Sequence, residues 1–465
     1  MSIQVSPGDP TIHTAAESIN ESIGESIGES ARSTSAQARA DYLACLLRLA
    51  QAEPIDRIWL QELRDHAVVR VQEQHFPSTR DEEWRFTDLA DLLNLSIGAT
   101  ESASLADRLT TTNLATFALP DVPHRLTFVN GQYAPQLSSV ANLPAGLTIG
   151  SLSELPEAET PAILPYLGKQ AGAEEVFTAL NTAGLTDAAI VQVSKNAEID
   201  TPIHLLFIAT APQPTLIQPR SLVILAANSA LTILEDHVTI GETAYLENGV
   251  TEIWLAENAR LNHTRVQRHS GTAFQIGKTA VSQARTSHYT CNTIDLGAQL
   301  SRHHLEIYQT GEQTETVLNG LTVAQQDQVS DTHSTIALTK PYGMTRQLHK
   351  CIVDDRGHAV FNGKVYVPQA AQMTDAGQLN RNLLLSPKAR VDTKPQLEIV
   401  ADNVKCTHGA TVGQLETDEI FYLQSRGIDT QSARKLLVNA FAYEVLAQVP
   451  IDSLRQTLMA QVAQS

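Results

Sequence analysis

The stretch VSKNAEI, residues 193–199, recurs as LAANSAL at 225–231 and as LAENARL at 255–261. Each copy has an aliphatic residue, two variable residues, an asparagine, a small residue, one variable residue and a second aliphatic residue. The three copies start 32 and then 30 residues apart. A strand, a tight turn and a strand that recur at this interval are typical of a β-solenoid, in which each coil buries its inward side chains against the next.

Looser copies of the pattern continue towards the C-terminus: IDLGAQL (294–300), VAQQDQV (323–329), VPQAAQM (367–373), LSPKARV (385–391) and VADNVKC (400–406). The alternative is a large β-sandwich or barrel, which would favour frequent Asn-Gly hairpin turns. Such dipeptides are few, at 130–131, 248–249, 319–320 and 362–363. The pattern therefore favours a solenoid over a sandwich.

Local composition and the spacing of apolar residues predict four segments. Residues 1–35 are polar and repeat ESINESIGESIGES, which indicates a disordered acidic leader. Residues 36–120 show helical spacing, and we expect an N-terminal helical domain there. Short runs rich in Val, Ile, Leu and Thr fill residues 121–414, the predicted β-helix core. Residues 415–465 return to a helical pattern and form the predicted C-terminal helical domain.

For two helical stretches, the sequence leaves open whether they pack on the rest of the chain or form a docking surface for a partner protein. DEEWRFTDLADLL, residues 81–93, carries two aromatic residues among charges, and packing onto the next domain is favoured over a partner-docking patch. The second stretch opens with Asp429 or Thr430 as a helix cap and ends at Pro450. Its apolar residues are predicted to form one stripe, comprising Ala433, Leu436, Leu437, Ala440, Phe441 and Leu446.

Composition excludes several classes of protein. The 465 residues are 42% hydrophobic and 18% charged, with a net charge of −18. This acidity argues against a general nucleic-acid or anionic-membrane binder. The four cysteines form no C-x-x-C motif, no stretch approaches ~20 apolar residues, and the N-terminus lacks signal-peptide features. We therefore expect a cytoplasmic protein.

Familiar catalytic motifs are not evident in the sequence. GTAFQIGKT at 271–279 has five residues between its first glycine and Gly-Lys-Thr, one more than a P-loop, so we expect this chain to bind no nucleotide. Nine of the 15 histidines lie between 263 and 408. Because no H-E-x-x-H motif accompanies them, most are predicted to be surface or turn residues.

Two Cys/His pairs remain, His349 with Cys351 and Cys406 with His408. On a strand, residues i and i+2 share a face, so each pair could approach one soft metal ion. Two ligands rarely hold a metal alone, and the others would have to come from elsewhere in the chain or from a second chain. The alternative is a place in the core. Cys406 occupies the pattern position of Ile199, Leu231 and Leu261, which favours the core for it on pattern alone.

Several longer stretches carry a family resemblance: DEEWRFTDL (81–89), FVNGQYAPQLS (128–138), FTALNTA (177–183), the block at 361–399, VKCTHGATVGQL (404–415) and FYLQSRGI (421–428). Together they resemble the SufB/SufD family of iron–sulfur cluster assembly proteins, and most closely its SufD branch. The resemblance extends from about residue 40 to about residue 450.

The resemblance implies a mainly β protein, a right-handed parallel β-helix (solenoid) flanked by N- and C-terminal α-helical domains. It implies a scaffold without catalysis of its own that pairs with SufB through the β-helix edge and docks the SufC ATPase through its C-terminal helices. Cys406 and His408 match the family motif at the SufB interface, where a transient iron–sulfur cluster forms, and would be iron ligands there.

Two other functions stay open. A SufB-like subunit would accept sulfur as a persulfide at Cys291 or Cys351. A β-helix enzyme acting on carbohydrates or transferring acyl groups would instead carry a groove of charged residues along one face.

Overall fold

The structure is a computed structural model that describes residues 36–53, 55, 57–98 and 109–463. The leader predicted for residues 1–35 lies outside the described residues. The chain is mainly β, and its centre is a parallel β-helix built from two sheets, here called sheet A and sheet B.

Both sheets contain ten strands. Sheet A contains β1 (His124–Val129), β2 (Gln132–Tyr133), β5 (Ile203–Ala209), β8 (Ala230–Thr239), β10 (Arg260–Arg268), β12 (His288–Asp295), β14 (Glu315–Ala324), β16 (Met344–Val353), β18 (Asp375–Leu384) and β20 (Lys405–Gly413). Sheet B contains β3 (Leu147–Ser151), β4 (Ala189–Val193), β6 (Leu216–Ile217), β7 (Arg220–Leu225), β9 (Leu246–Leu255), β11 (Phe274–Gln283), β13 (Leu300–Gln309), β15 (Val329–Ala337), β17 (His358–Val367) and β19 (Arg390–Ile399).

From β7 onward the chain alternates between the sheets, so each coil contributes one strand to each. Parallel pairing then places each strand beside the strand one coil earlier. The predicted β-helix is therefore confirmed. β20 and β19 are the strands at the C-terminal edges of sheets A and B.

The three closest pattern copies form successive turns from sheet B to sheet A. Their asparagines, Asn196, Asn228 and Asn258, have φ angles of 62°, 57° and 62°. Asparagine adopts this left-handed conformation more readily than most residues. The side chains also form a ladder, since Asn228 Nδ2 donates to Asn196 Oδ1 at 2.8 Å and Asn258 Nδ2 donates to Asn228 Oδ1 at 3.0 Å. The pattern thus marks one corner of the β-helix.

The loose copies fall at both corners. VPQAAQM and VADNVKC lie at the same turn as the asparagine copies, between sheet B and sheet A. IDLGAQL, VAQQDQV and LSPKARV lie at the opposite turn, between sheet A and sheet B. The permissive pattern therefore detects a coil corner without distinguishing which corner it is.

The interior of the β-helix is partly polar, and the prediction that most histidines lie at the surface or in turns is wrong. Buried carboxylates balance several rings: inside the β-helix His263 Nε2 lies 3.1 Å from Glu235 Oε2, and on the outer face of sheet B, beneath the N-terminal segment, His333 Nε2 lies 3.0 Å from Asp331 Oδ1. Such pairing makes an imidazole tolerable in the core. Of the nine histidines between 263 and 408, five are buried: His263, His269, His303, His333 and His349.

Helices flank and cover the β-helix. They are α1 (residues 36–50), α2 (Ile58–Gln72), α3 (Ala90–Leu93), α4 (Thr111–Leu114), α5 (Thr160–Ile163), α6 (Val176–Ala183), α7 (Thr417–Ser425), α8 (Thr430–Leu446) and α9 (Asp452–Val462). Short 3₁₀ turns lie at Glu82–Trp84, Ala115–Phe117, Pro135–Leu137 and Glu157–Glu159. Among the described residues, no helix is long and apolar enough to cross a membrane.

The N-terminal helices pack on sheet B, and the aromatic stretch at 81–93 is part of that contact. Trp84 lies against Phe177 of α6 with ring centroids 5.6 Å apart, and the guanidinium of Arg302 lies 4.0 Å from the Trp84 ring. The favoured interpretation of this stretch, packing onto the next domain, is confirmed.

The C-terminal helices pack on sheet A through one part of their surface. Asp429 caps α8, and its side chain accepts hydrogen bonds from the backbone amides of Gln431 and Ser432. Ala442, Val445 and Leu446 of α8 join the apolar cluster on the outer face of sheet A. The predicted single stripe is wrong in part, because Leu436 and Ala440 are exposed. At 100° per residue, Leu436 and Ala440 lie on the side of α8 roughly opposite the buried Val445.

Candidate functional site

Cys406 lies on the inward-facing ladder that runs through sheet A. In register, Leu231 pairs with Leu261, and Leu261 with Tyr289. The ladder continues through Thr316, Thr345 and Ala376 to Cys406. Cys406 is half-buried and packs against the main apolar cluster. The prediction that it occupies the inward position of Leu231 and Leu261 is confirmed.

His408 follows two residues later and belongs to the neighbouring inward ladder. That ladder runs from Ile233 through His263, Cys291, Leu318, Gln347 and Gln378 to His408. Every earlier member is buried, whereas His408 is exposed. The difference arises because each inner coil is covered by the next, and no described residue covers β20.

The C-terminal end of the β-helix is therefore an open edge. β20 pairs with β18 on one side, and the described residues offer no strand on the other. An uncovered edge presents backbone donors and acceptors that another chain can pair with. Apolar side chains also reach solvent beside it, among them Ile399, Val400 and Val412. These features are typical of a surface that another protein covers.

The environment of the Cys406 thiol favours its protonated form. Burial raises its pKa, while a hydrogen bond with the backbone of Ala376 lowers that pKa by less. The thiol is therefore protonated at neutral pH until a metal ion displaces the proton. Within the described part of the chain, neither Cys406 nor His408 belongs to a cluster of three candidate metal ligands. The pair can supply at most half of a metal site.

Two features that the sequence patterns did not predict lie near His408. On the outer face of sheet A, residues of β14, β16, β18 and β20 line a groove of about 530 Å³ together with Glu444 of α8. The second feature lies on the inner face, beside His408 itself. Gln378, the ladder neighbour of His408, is buried and donates to Gln347 Oε1 at 2.8 Å. Its own Oε1 has no hydrogen-bond partner among the described residues. A buried, unpaired oxygen beside His408 is an acceptor that an incoming group can use.

The second pair, His349 and Cys351, lies in the core. Burial lowers the pKa of His349 to about 3, and its ring stacks on Phe361 with centroids 4.9 Å apart. Burial raises the pKa of Cys351 to about 12. A neutral imidazole and a neutral thiol, both without solvent access, fit a packing role. The structure thus places one Cys/His pair at the open edge and the other in the core.

Cys291 is also buried, with its Sγ 3.8 Å from His263 Nδ1.

The segment 271–279 lies largely on strand β11, and its Lys278 forms ion pairs with Glu175 at 2.9 Å and Glu306 at 2.6 Å. A P-loop instead runs from a strand through a glycine-rich loop into a helix. The interpretation of this segment as strand is confirmed.

Comparisons with known proteins agree on one family. The family model "SUF system FeS cluster assembly, SufBD core domain" matches residues 207–441, and "SufBD protein N-terminal region" matches residues 52–205. An iron–sulfur cluster assembly SufBD family protein of Synechocystis is 48% identical over 392 residues, which cover 82% of this chain and 86% of that protein.

Two further relatives are more distant. The protein ABCI7 of Arabidopsis thaliana, described as chloroplastic, is 32% identical over 443 residues, covering 91% of each chain. The iron–sulfur cluster assembly protein SufD of Escherichia coli is 31% identical over 391 residues, covering 83% of this chain and 89% of that protein. Both alignments extend well beyond the β-helix core.

Proposed function

The chain belongs to the SufBD family of SUF-system iron–sulfur cluster assembly proteins, and on that premise we propose that it is a SufD-type scaffold subunit. It has no catalysis of its own, pairs with SufB through the open end of the β-helix, and docks the SufC ATPase. The SufD-named relatives and the C-T-H motif at 406–408 support the SufD assignment over a SufB-like one.

The observation that carries the proposal is the position of Cys406 and His408 at the uncovered end of the β-helix. A partner strand pairing with β20 would lie about 4.8 Å away, the spacing of neighbouring strands. Its side chains would then face Cys406 and His408 as the next rung of their ladders. A thiolate and an imidazole from this chain, with ligands from the partner, would together hold the nascent iron–sulfur cluster, which is the cargo of the assembly.

A shared site of this kind suits a scaffold that must release its product. Neither chain holds enough ligands alone, so separating the two edges weakens the hold on the cluster. ATP-dependent motions of SufC would move the SufB edge. Such movement would therefore control whether the cluster is retained or released.

The SufC docking surface is proposed on α7 and α8. In the described stretch 411–432 no residue is buried, although α7 is a regular helix of nine residues. Isolated helices of this length are unstable in water. Phe421 and Tyr422 of α7 and Leu436 and Tyr443 of α8 add a large exposed apolar surface. Such a patch marks a protein interaction site.

The experiment is the double substitution Cys406→Ala with His408→Ala in the chain co-produced with SufB and SufC and purified without oxygen. We expect co-purification to be unchanged and cluster-bound iron and sulfide to fall at least about tenfold, the scale seen when even an outer partner of a metal ligand is removed. Thr407→Ala is the matched control, since Thr407 lies between the two residues on the opposite face of β20.

Unchanged iron and sulfide in the double variant would refute the cluster role of the pair. Failure of the double variant to assemble, with Thr407→Ala assembling normally, would show that the pair is structural. A SufB-like role is tested separately: after incubation with a cysteine desulfurase, mass spectrometry would find persulfide on Cys291 or Cys351.

A further inference from the structure

A second group of metal-ligating side chains lies deep inside the β-helix. His237 at the end of β8, Glu247 at the start of β9 and His269 just after β10 are all buried. Glu247 Oε1 lies 2.9 Å from His237 Nδ1 and 3.1 Å from His269 Nε2. The three ligand atoms come from two successive coils and all lie within 4.8 Å of one another.

This cluster is separate from Cys406 and His408. Five strand-to-strand steps of sheet A separate β10 from β20, which at ~4.8 Å per step is roughly 24 Å. The two sets of residues therefore cannot share one ion.

The outer nitrogen of each imidazole is held by an oxygen. His237 Nε2 lies 3.2 Å from Glu235 Oε1, and His269 Nδ1 lies 2.7 Å from the Tyr245 hydroxyl. Glu235 is held in turn by the Thr251 hydroxyl, which donates to its Oε1 at 2.6 Å. In metal sites the ligating histidine almost always uses its other ring nitrogen in this way, which fixes the tautomer and the ring orientation.

A buried ion-pair network without metal explains part of this arrangement. Burial lowers the pKa of His237, but Glu247 and Glu235 outweigh it and raise that pKa to about 9. Protonated rings can therefore balance the carboxylates. An ion pair explains why Glu247 Oε1 lies 2.9 Å from His237 Nδ1, but the ring nitrogen is not aligned for a hydrogen bond with that oxygen. A buried nitrogen in this position can be satisfied by an ion placed between it and the carboxylate.

We propose that His237, Glu247 and His269 bind one divalent transition-metal ion, with zinc and ferrous iron as the best-suited members of that class. Two imidazoles and one carboxylate are a recurrent ligand set for both ions. The two positive charges would be balanced by Glu247 and by Glu235 behind His237. Because the ligands come from successive coils, the ion would fasten those coils together.

The test uses the full-length chain produced in zinc-supplemented medium, treated with a chelator to remove surface metal and measured by plasma mass spectrometry. We expect about one zinc per chain in the unmodified protein and in the Cys406→Ala/His408→Ala double variant. Glu247→Gln keeps the shape of the side chain but removes its charge, and we expect it to lose at least nine-tenths of the zinc.

Two results would overturn the proposal: less than a tenth of an equivalent of zinc in the unmodified protein, or zinc retained by Glu247→Gln. Circular dichroism and thermal unfolding of the variant show whether it folds. If it does not, anomalous X-ray scattering at the zinc edge from crystals of the unmodified protein decides. A peak about 2.1 Å from the three ligand atoms supports the site, and a peak only elsewhere refutes it.

Discussion

Phe421→Ala should weaken binding of SufC without changing the stability of the free chain. Phe421 lies on α7 with 68% of its surface exposed, and Tyr422 beside it is 58% exposed. Since no residue of α7 is buried in the described structure, removing the Phe421 ring leaves no cavity. We expect the free energy of unfolding of the free chain to change by no more than about 0.5 kcal/mol, as for other surface substitutions.

The size of the binding effect follows from the exposed area. A phenylalanine side chain can bury roughly 200 Å², and the 68% that is exposed corresponds to about 140 Å² available to a partner. At about 25 cal/mol per Å², covering that area contributes at most ~3.5 kcal/mol. Allowing for incomplete coverage, we expect a loss of about 2–3 kcal/mol, or roughly 30- to 140-fold in Kd.

Isothermal titration of purified SufC into the unmodified chain and into Phe421→Ala measures this difference. Ile58→Ala is the matched control, because Ile58 is 78% exposed but lies on α2 at the other end of the chain. We expect its Kd for SufC to be unchanged. A change below about threefold for Phe421→Ala, or an equal change for both variants, would refute the placement of the docking surface on α7 and α8.

Three further predictions test the β-helix itself. Asn228→Ala should lower the free energy of unfolding by about 1–3 kcal/mol in urea titrations, because alanine tolerates positive φ poorly and ends the side-chain ladder, whereas Asn228→Gly should cost less. Burial lowers the pKa of His349 to about 3, whereas the pKa of a histidine in the unfolded chain is ~6.5. Between these values the unfolded chain binds a proton that the folded chain does not. The stabilising contribution of neutral His349 is therefore complete above pH ~6.5 and is lost as the pH falls from ~6.5 towards about 3. His349→Phe should therefore flatten the pH dependence of the free energy of unfolding by up to about 1.4 kcal/mol per pH unit there. Iodoacetamide should label Cys406 in the native protein but label Cys291 and Cys351 only after denaturation, as peptide mass spectrometry would show.

The sequence contained enough information for the fold because the corner of the β-helix is encoded locally. Asn196, Asn228 and Asn258 each specify a turn through their own backbone preference, and the flanking aliphatic residues specify which side faces inward. Repetition then fixes the architecture, since each coil needs the next to bury its inward face. The same local pattern predicts that Cys406 lies on the inward ladder.

The polar interior could not be predicted in the same way. Glu235 and His263 are 28 residues apart and meet only because successive coils stack. Each looks like a surface residue in its own segment, and no local pattern shows that its partner lies one coil away. The prediction of one apolar stripe on α8 was wrong in part for a related reason. Leu436 and Ala440 fit the helical period, but they lie on the side of α8 opposite Val445, and only the packing on sheet A decides which side is buried.

The two ladders that end at Cys406 and His408 support the proposal of a shared site at this end of the molecule. Along the ladder of His408, the interior changes from Leu318 to Gln347 and Gln378 as the open end approaches. Gln347 donates to Ser334 Oγ and Gln378 donates to Gln347 Oε1, each at 2.8 Å, but Gln378 Oε1 has no hydrogen-bond partner among the described residues. A partner coil that continues the ladders would offer that oxygen a donor, and it would also meet the thiol and the imidazole on the next rung. The residues that make the end of this β-helix polar are therefore the ones expected where two scaffolds meet around a metal cluster.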